Sequence, residues 1–151
     1  MSSEKRKIAY IDGKPYEIGA NHTSILKFVK SYVGEKKVPT LCDDPNLAPY
    51  GACRVCSVEV ALEKDGPTRM VASCHTPVAE NQHIFTSNEA ITSLRKNIVE
   101  LVLTDHPMEC DSCEVNNNCE LQTVANDLGI SDHRYNSPKQ HKGIPRDTSH
   151  D

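Results

Sequence analysis

The chain has 151 residues and a mass of 16.7 kDa, room for one compact domain with an extension or for two small ones. Apolar residues make up 37%, with no Trp and two Phe, so the core is small and calls for covalent or metal staples. With 17 Lys+Arg against 21 Asp+Glu and a net charge of −4, the chain lacks the basic excess of a nucleic-acid binder.

Residues 6–18, RKIAYIDGKPYEI, are two short runs around Asp12-Gly13, a hairpin signal. Behind Thr23 or Ser24 as a cap, Ile25, Phe28, Val29, Tyr32 and Val33 recur at helical spacing, and Gly34 can end that helix. Pro39 to Cys56 holds three prolines and Gly51 without periodicity and reads as an ordered loop. Ser57 to Leu62 alternates as a strand, Asp65-Gly66 turns it, and Thr68 to Ser73 returns antiparallel; Ile84-Phe85 suits one more strand. This order predicts an α+β domain, a small mixed sheet with one helix packed across it. From Thr86 the character changes. Thr86-x-x-Glu89 matches a capping box, with Ile91, Leu94, Ile98, Leu101 and Val102 on one face of a helix of about 18 residues. A second cysteine-rich loop covers 105–119, a short helix runs from Glu120 to Leu128, and Gly129 ends it. Residues 131–151 are polar, with Ile144 the only aliphatic, and read as a linker or a partner-dependent tail.

No apolar run approaches the roughly 18 residues of a membrane-spanning helix. The start, MSSEKRKIAYIDGK, lacks the apolar stretch of a secretory signal. The seven cysteines are therefore expected in a reducing, cytoplasmic setting, and their odd number speaks against a closed disulfide framework. Cys42, Cys53, Cys56 and Cys74 are spaced C-x10-C-x2-C-x17-C. A [2Fe–2S] cluster takes four thiolates in a plant-type C-x4-C-x2-C run with one distant cysteine; here Asp43 to Ala52 lengthens the first gap by six residues. Ala48, Gly51 and Ala52 are small enough for backbone N–H groups to approach an anionic cluster. A four-cysteine zinc site, or unliganded structural cysteines, are the alternatives, although a zinc ribbon prefers two CxxC knuckles.

The second set is His106-x3-Cys110-x2-Cys113-x5-Cys119. Three thiolates and one imidazole suit a [4Fe–4S] cube or a zinc ion. Pro107 and Asn116 to Asn118 supply turn chemistry for a wrapping loop. Were His106 not to bind, an iron with a free position would be left to act as a Lewis acid. The two sets use every cysteine. His22, His75, His83, His133, His141 and His150 have no cysteines at ligand spacing and read as ordinary surface or structural residues.

Pro39-Thr40-Leu41-Cys42 with Gly51 to Val60 (GACRVCSVEV) resembles the [2Fe–2S] domain that opens the large iron–sulfur subunit of complex I. His106 to Cys113 (HPMECDSC) with Asn118 to Gln122 (NCELQ) resembles the one-histidine, three-cysteine [4Fe–4S] segment that follows it there. The same pair opens iron–sulfur subunits of NAD-linked formate dehydrogenases, NAD-reducing hydrogenases and [FeFe] hydrogenases. The resemblance runs from about residue 6 to residue 130 and implies a β-grasp ferredoxin-like domain over 1–86, a helical [4Fe–4S] segment over 87–130, and a tail over 131–151. It favours iron–sulfur over zinc at both sets. Two departures stand out: a longer hairpin with Lys64 to Pro67 at its tip, and a chain that stops where such subunits continue into two further cube motifs.

No GxGxxG, P-loop or recognisable Ser/His/Asp set is present, so no catalytic residue is expected. Two redox centres without a substrate pocket imply a one-electron relay inside an NAD(P)-linked oxidoreductase. Its expected partners are a flavin- and NAD(P)-binding subunit and a formate dehydrogenase, hydrogenase or quinone-reducing subunit, without nucleic acid or direct membrane insertion, although the complex itself can lie at a membrane. A zinc-bound interaction module and a free ferredoxin-like carrier are the competing readings. The runs Glu35-Lys36-Lys37 and Glu63-Lys64-Asp65 read as solvated faces.

Overall fold

A computed structural model of the chain describes residues 6–135. Strands β1 (Ile8–Ile11) and β2 (Lys14–Glu17) pair antiparallel. Asp12 and Gly13 between them both take left-handed φ, 48° and 83°, the two-residue hairpin turn that matches strand twist. Helix α1 (Ile25–Val33) starts at Ser24, whose side chain accepts the Lys27 N–H, and Gly34 closes it by donating its N–H to the Lys30 carbonyl. Strands β3 (Ser57–Ala61), β4 (Arg69–Ala72) and β5 (His83–Phe85) complete a five-stranded sheet in the order β2-β1-β5-β3-β4. The β1–β5 pair is parallel and the others are antiparallel. Ala9, Ile11, Phe28, Val58 and Ile84 form the core between sheet and α1, and Cys56 and Cys74 lie inside it.

Helix α2 (Glu89–Thr104), a 3-10 turn over Cys110–Ser112 and helix α3 (Glu120–Asp127) follow. Gly129, at φ 66°, turns the chain after α3. A second core joins Val99 and Leu103 of α2, Val124 and Ala125 of α3, Ile130, and Val55 from the loop before β3. Arg134 reaches back to α2, with its Nε 2.6 Å from Glu100 Oε2 and Nη2 bonded to Asn97 Oδ1.

Three expectations need correction. Asn88, not Thr86, caps α2: its Oδ1 accepts the Ile91 N–H. Thr86 still belongs to the end of the sheet, where its N–H and hydroxyl donate to Asp12 at 2.8 and 2.6 Å. The buried stripe of α2 is Ile91, Arg95, Val99 and Leu103, whereas Leu101 and Val102 are exposed. In α1, Tyr32 and Val33 are exposed and Leu26 is buried; the Tyr32 hydroxyl donates to the Glu17 carbonyl at the outer edge strand instead of entering the core. The expected tail lies outside the described residues from 136 onward.

Asp12 ties the first hairpin to the end of β5. Asp12→Ala leaves the N–H and hydroxyl of fully buried Thr86 without their acceptor and is expected to cost about 1–3 kcal/mol in denaturant unfolding. Burial raises the Asp12 pKa, but the Thr86 donors and Lys37 outweigh it and hold the carboxyl below its usual 3.8. A carboxyl depressed on folding contributes stability above its unfolded pKa and loses it as pH falls through the folded value. The stability gap between wild type and Asp12→Asn is therefore expected to shrink from about pH 6 to about pH 3; a gap independent of pH would refute the assignment.

Candidate metal centres

The loop between α1 and β3 carries Cys42, Cys53 and Cys56, and Cys74 lies two residues past β4. The β3–β4 register sets Ser57 opposite Ala72, which brings Cys56 and Cys74 to one end of the hairpin. Ser73 pins that end, its hydroxyl donating to the Cys56 carbonyl at 2.7 Å. The four thiols lie two by two: Cys42 is beside Cys53, and Cys56 beside Cys74. The pairs are neighbours, since the Cys42 sulfur acts electrostatically on Cys74. Among the described residues no three His, Cys, Asp or Glu side chains close on a single-ion position.

Backbone donors surround these sulfurs. The N–H of Gly51 is directed at Cys74, those of Ala52 and Cys53 at Cys42, and those of Leu41, Cys42 and Val55 at Cys53. Two left-handed residues shape this cradle, Gly51 at φ 69° and Arg54 at φ 64°. A Cβ on Gly51 would lie 3.3 Å from Ala72 Cβ and 3.5 Å from His75 Cβ, so the loop is close-packed where it bends. Burial and then the adjacent Cys56 push the Cys74 thiol up to about 12. Burial also raises Cys42, whereas at Cys53 the Val55 N–H and the other donors overcome burial and lower the pKa. Four crowded sulfurs ringed by N–H groups fit a polynuclear cation: it replaces the protons, and two thiol pairs offer two metal corners.

The second set surrounds one cavity of about 280 Å³, lined by His106, Cys110, Cys113 and Cys119. His106 follows the end of α2, its N–H donating to the Leu103 carbonyl at 3.2 Å. Cys110 opens the 3-10 turn, and Cys119 is the N-cap of α3 with no side-chain cap hydrogen bond, so its sulfur is not spent on the helix. Gln122 staples the asparagine turn, accepting the Asn117 N–H and donating to Asn116 Oδ1, both at 2.8 Å. The cavity falls just below the roughly 300–1,000 Å³ of small-organic pockets. A lone zinc ion needs its ligands within about 2.0–2.3 Å and would not require such a space. Three soft sulfurs and an imidazole around this volume fit a compact inorganic cube.

Three of the described histidines outside the sets have other partners. His22 Nδ1 accepts the Gly19 N–H, which leaves Nε2 to donate to Ser31 Oγ at 2.9 Å, while the Ser31 hydroxyl donates to the Phe28 carbonyl. That is a structural chain, not an activated serine. His83 stacks on Tyr10 at 4.3 Å, and His133 contacts the Tyr135 carbonyl. Sequence pattern alone misses Arg95. Its side chain is buried on α2, with Nε donating to the Val55 carbonyl at 3.1 Å and Nη2 to the Ser57 carbonyl at 2.7 Å, either side of Cys56. An arginine at four-residue spacing between Ile91 and Val99 is the signal that could have found it.

The 2Fe-2S iron-sulfur cluster binding domain family matches residues 7–89, and the NADH-ubiquinone oxidoreductase-G iron-sulfur binding region matches residues 95–134. The alpha subunit of NADPH-Fe(3+) oxidoreductase from Geobacter sulfurreducens is 34% identical over 137 residues, covering 91% of this chain and 15% of the relative. A subunit of the NADH-quinone oxidoreductase from Escherichia coli is 35% identical over 133 residues, covering 87% of this chain and 14% of the relative. The chain thus spans about one seventh of the length of these relatives. A solved NAD+-reducing [NiFe]-hydrogenase shares the fold, with TM-score 0.73 and 23% identity over 87% of this chain and 53% of the other. No helix among the described residues is long and apolar enough to cross a membrane. The resemblance and the fold expected from the sequence are borne out, and the two cofactors are a [2Fe–2S] and a [4Fe–4S] cluster. The chain belongs to the 2Fe-2S iron-sulfur cluster binding domain family, with the NADH-ubiquinone oxidoreductase-G iron-sulfur binding region joined behind it.

Proposed function

We propose that Cys42, Cys53, Cys56 and Cys74 hold the [2Fe–2S] cluster, that His106, Cys110, Cys113 and Cys119 hold the [4Fe–4S] cluster, and that the chain relays single electrons between them. Residues 1–86 then form the ferredoxin-like domain, 87–130 the cube-binding segment and 131–151 a polar tail or linker. When bound, the clusters supply the one-electron chemistry; the chain fixes their separation and surroundings. One observation carries the reading. Leu41, Cys53 and Val55 of the first ligand loop pack in the same apolar core as Leu103, Leu121 and Ala125, which line the second cavity. The two sites share one wall of packed apolar side chains, which forms the medium between donor and acceptor. The partners fitting this role are a flavin- and NAD(P)-binding subunit on one side and a substrate-reducing or substrate-oxidising subunit on the other. Relatives that are subunits of NADH-quinone and NADPH-Fe(3+) oxidoreductases support that placement.

Anaerobically purified protein is expected to be brown, with about six irons per chain and two paramagnetic signals after dithionite. In freeze-quench experiments, transfer between the two centres should not depend on protein concentration. A colourless zinc-loaded protein, or transfer that scales with concentration, overturns the relay. The neutral imidazole of His106 leaves its site one negative charge short of an all-thiolate one, which eases addition of an electron. His106→Cys is expected to keep the cluster and lower its midpoint potential in a redox titration; an unchanged or higher midpoint counts against His106 as ligand. Gly51→Val places a branched side chain at left-handed φ and against Ala72. It is expected to abolish the [2Fe–2S] signal while sparing the other, and a full-strength signal would refute the backbone cradle.

A further inference from the structure

Among the described residues Arg95 is the one buried cation, and the proposed ligand set does not account for it. It is 5% exposed, and the fork of its guanidinium holds the carbonyls of Val55 and Ser57, which bracket Cys56. Both acceptors are neutral. Among the described residues the ion pairs are formed by Arg6, Lys30, Lys37 and Arg134, and none by Arg95. A buried charge without an opposite charge is costly, so a sequence that keeps a guanidinium here gains from an anion nearby. The ionisable group that acts on it electrostatically is the Cys56 sulfur. Burial lowers the Arg95 pKa to about 10, still well above neutrality, so the cation persists.

We infer that Arg95 is the internal counter-ion of the [2Fe–2S] site and sets that centre's midpoint potential, by offsetting the negative charge gathered at Cys42, Cys53, Cys56 and Cys74. The inference rests on the ligand assignment proposed above. Addition of an electron makes the site more negative, and a fixed positive charge favours the more negative state, so Arg95 raises the potential. Depth decides which arginine matters. Arg54 is closer in sequence but exposed, and water and salt screen it; Arg95 acts from inside the protein, where screening is weak. Its second effect is mechanical, because the same guanidinium fastens α2 to the loop entering β3. The two effects are separable, since lysine keeps the charge and loses the fork, whereas glutamine loses the charge and keeps a donor.

The test is a redox titration of the full chain with both clusters loaded, followed by paramagnetic resonance, in wild type, Arg95→Gln and Arg95→Lys. At the potential where the wild-type [2Fe–2S] centre is half reduced, Arg95→Gln should show about a tenfold lower ratio of reduced to oxidised centre, a shift of about 59 mV for a one-electron couple. Arg95→Lys should stay within about twofold of wild type, and the [4Fe–4S] midpoint should not move in either variant. Unchanged [2Fe–2S] midpoints in both variants, or equal falls in both, overturn the counter-ion role; the second result leaves only the mechanical one. If Arg95→Gln fails to load its cluster, Arg95→Lys decides alone: a wild-type midpoint supports the role of charge, and a tenfold fall in the ratio, or loss of the cluster, overturns it. Absence of a [2Fe–2S] signal from the wild type would instead fail the ligand assignment itself.

Discussion

The structure turns on a short stretch of backbone that belongs to two cores at once. Cys56 lies in the core under the sheet, while Cys53 and Val55 pack into the core formed with α2 and α3. The intervening Arg54 takes a left-handed φ of 64°, a conformation that costs a non-glycine residue about 1–2 kcal/mol. Past that kink the adjacent Val55 and Cys56 enter opposite cores, and the Val55 N–H is directed at the Cys53 sulfur. On the proposed assignment the CxxC turn is a ligand loop and a joint in the same few atoms. Displacing it would disturb both hydrophobic clusters together.

The sulfur chemistry gives this joint its purpose. The four thiols are gathered in two pairs, and Cys74, driven to about 12 by burial and its neighbour, holds its proton until a cation replaces it. The surrounding N–H groups and the Arg95 guanidinium all present positive charge to the same small volume. Such a surround favours a thiolate-bound cation core carrying net negative charge over four separate thiols. The second site is built differently, from a turn, a histidine at a helix end and an unspent N-cap sulfur around a cavity. Part of its wall, Leu103, Leu121, Ala125 and Ile130, belongs to the shared apolar core, so the placement of its four donor side chains depends on α2 and α3 holding their positions.

The parts of this architecture that were legible in the sequence are those written in local chemistry. Asp12-Gly13 specified its hairpin because both residues tolerate left-handed φ, and Ser24 and Gly34 bounded α1 by capping. Cysteine spacing separated the two sets; Cys42, Cys53, Cys56 and Cys74 are neighbours at one end of the sheet, and His106, Cys110, Cys113 and Cys119 line one cavity. Tertiary demands decided the rest. Thr86 fits a capping box locally, but Asp12, distant in sequence, takes both of its donors. The apolar stripe expected on α2 is out of phase because the buried ladder includes Arg95, a residue type whose hydropathy places it in water; the carbonyls of Val55 and Ser57 satisfy its donors at that depth. The pairing of Cys42 with Cys53 across ten intervening residues was likewise invisible, since loop length does not fix which sulfurs meet.

The two sites meet solvent unequally. Cys56 and Cys74 are buried, whereas Cys113 is exposed and His106 stands at the surface beside it. Thiolate reactivity toward oxidants follows exposure, so on the proposed assignment dioxygen and peroxide reach the outer centre first. The opening that gives an electron a short route out of the chain is also its weak flank. A partner seated over Cys113 would then act as a shield as well as an acceptor, and the chain alone in air would lose its cube before its inner cluster.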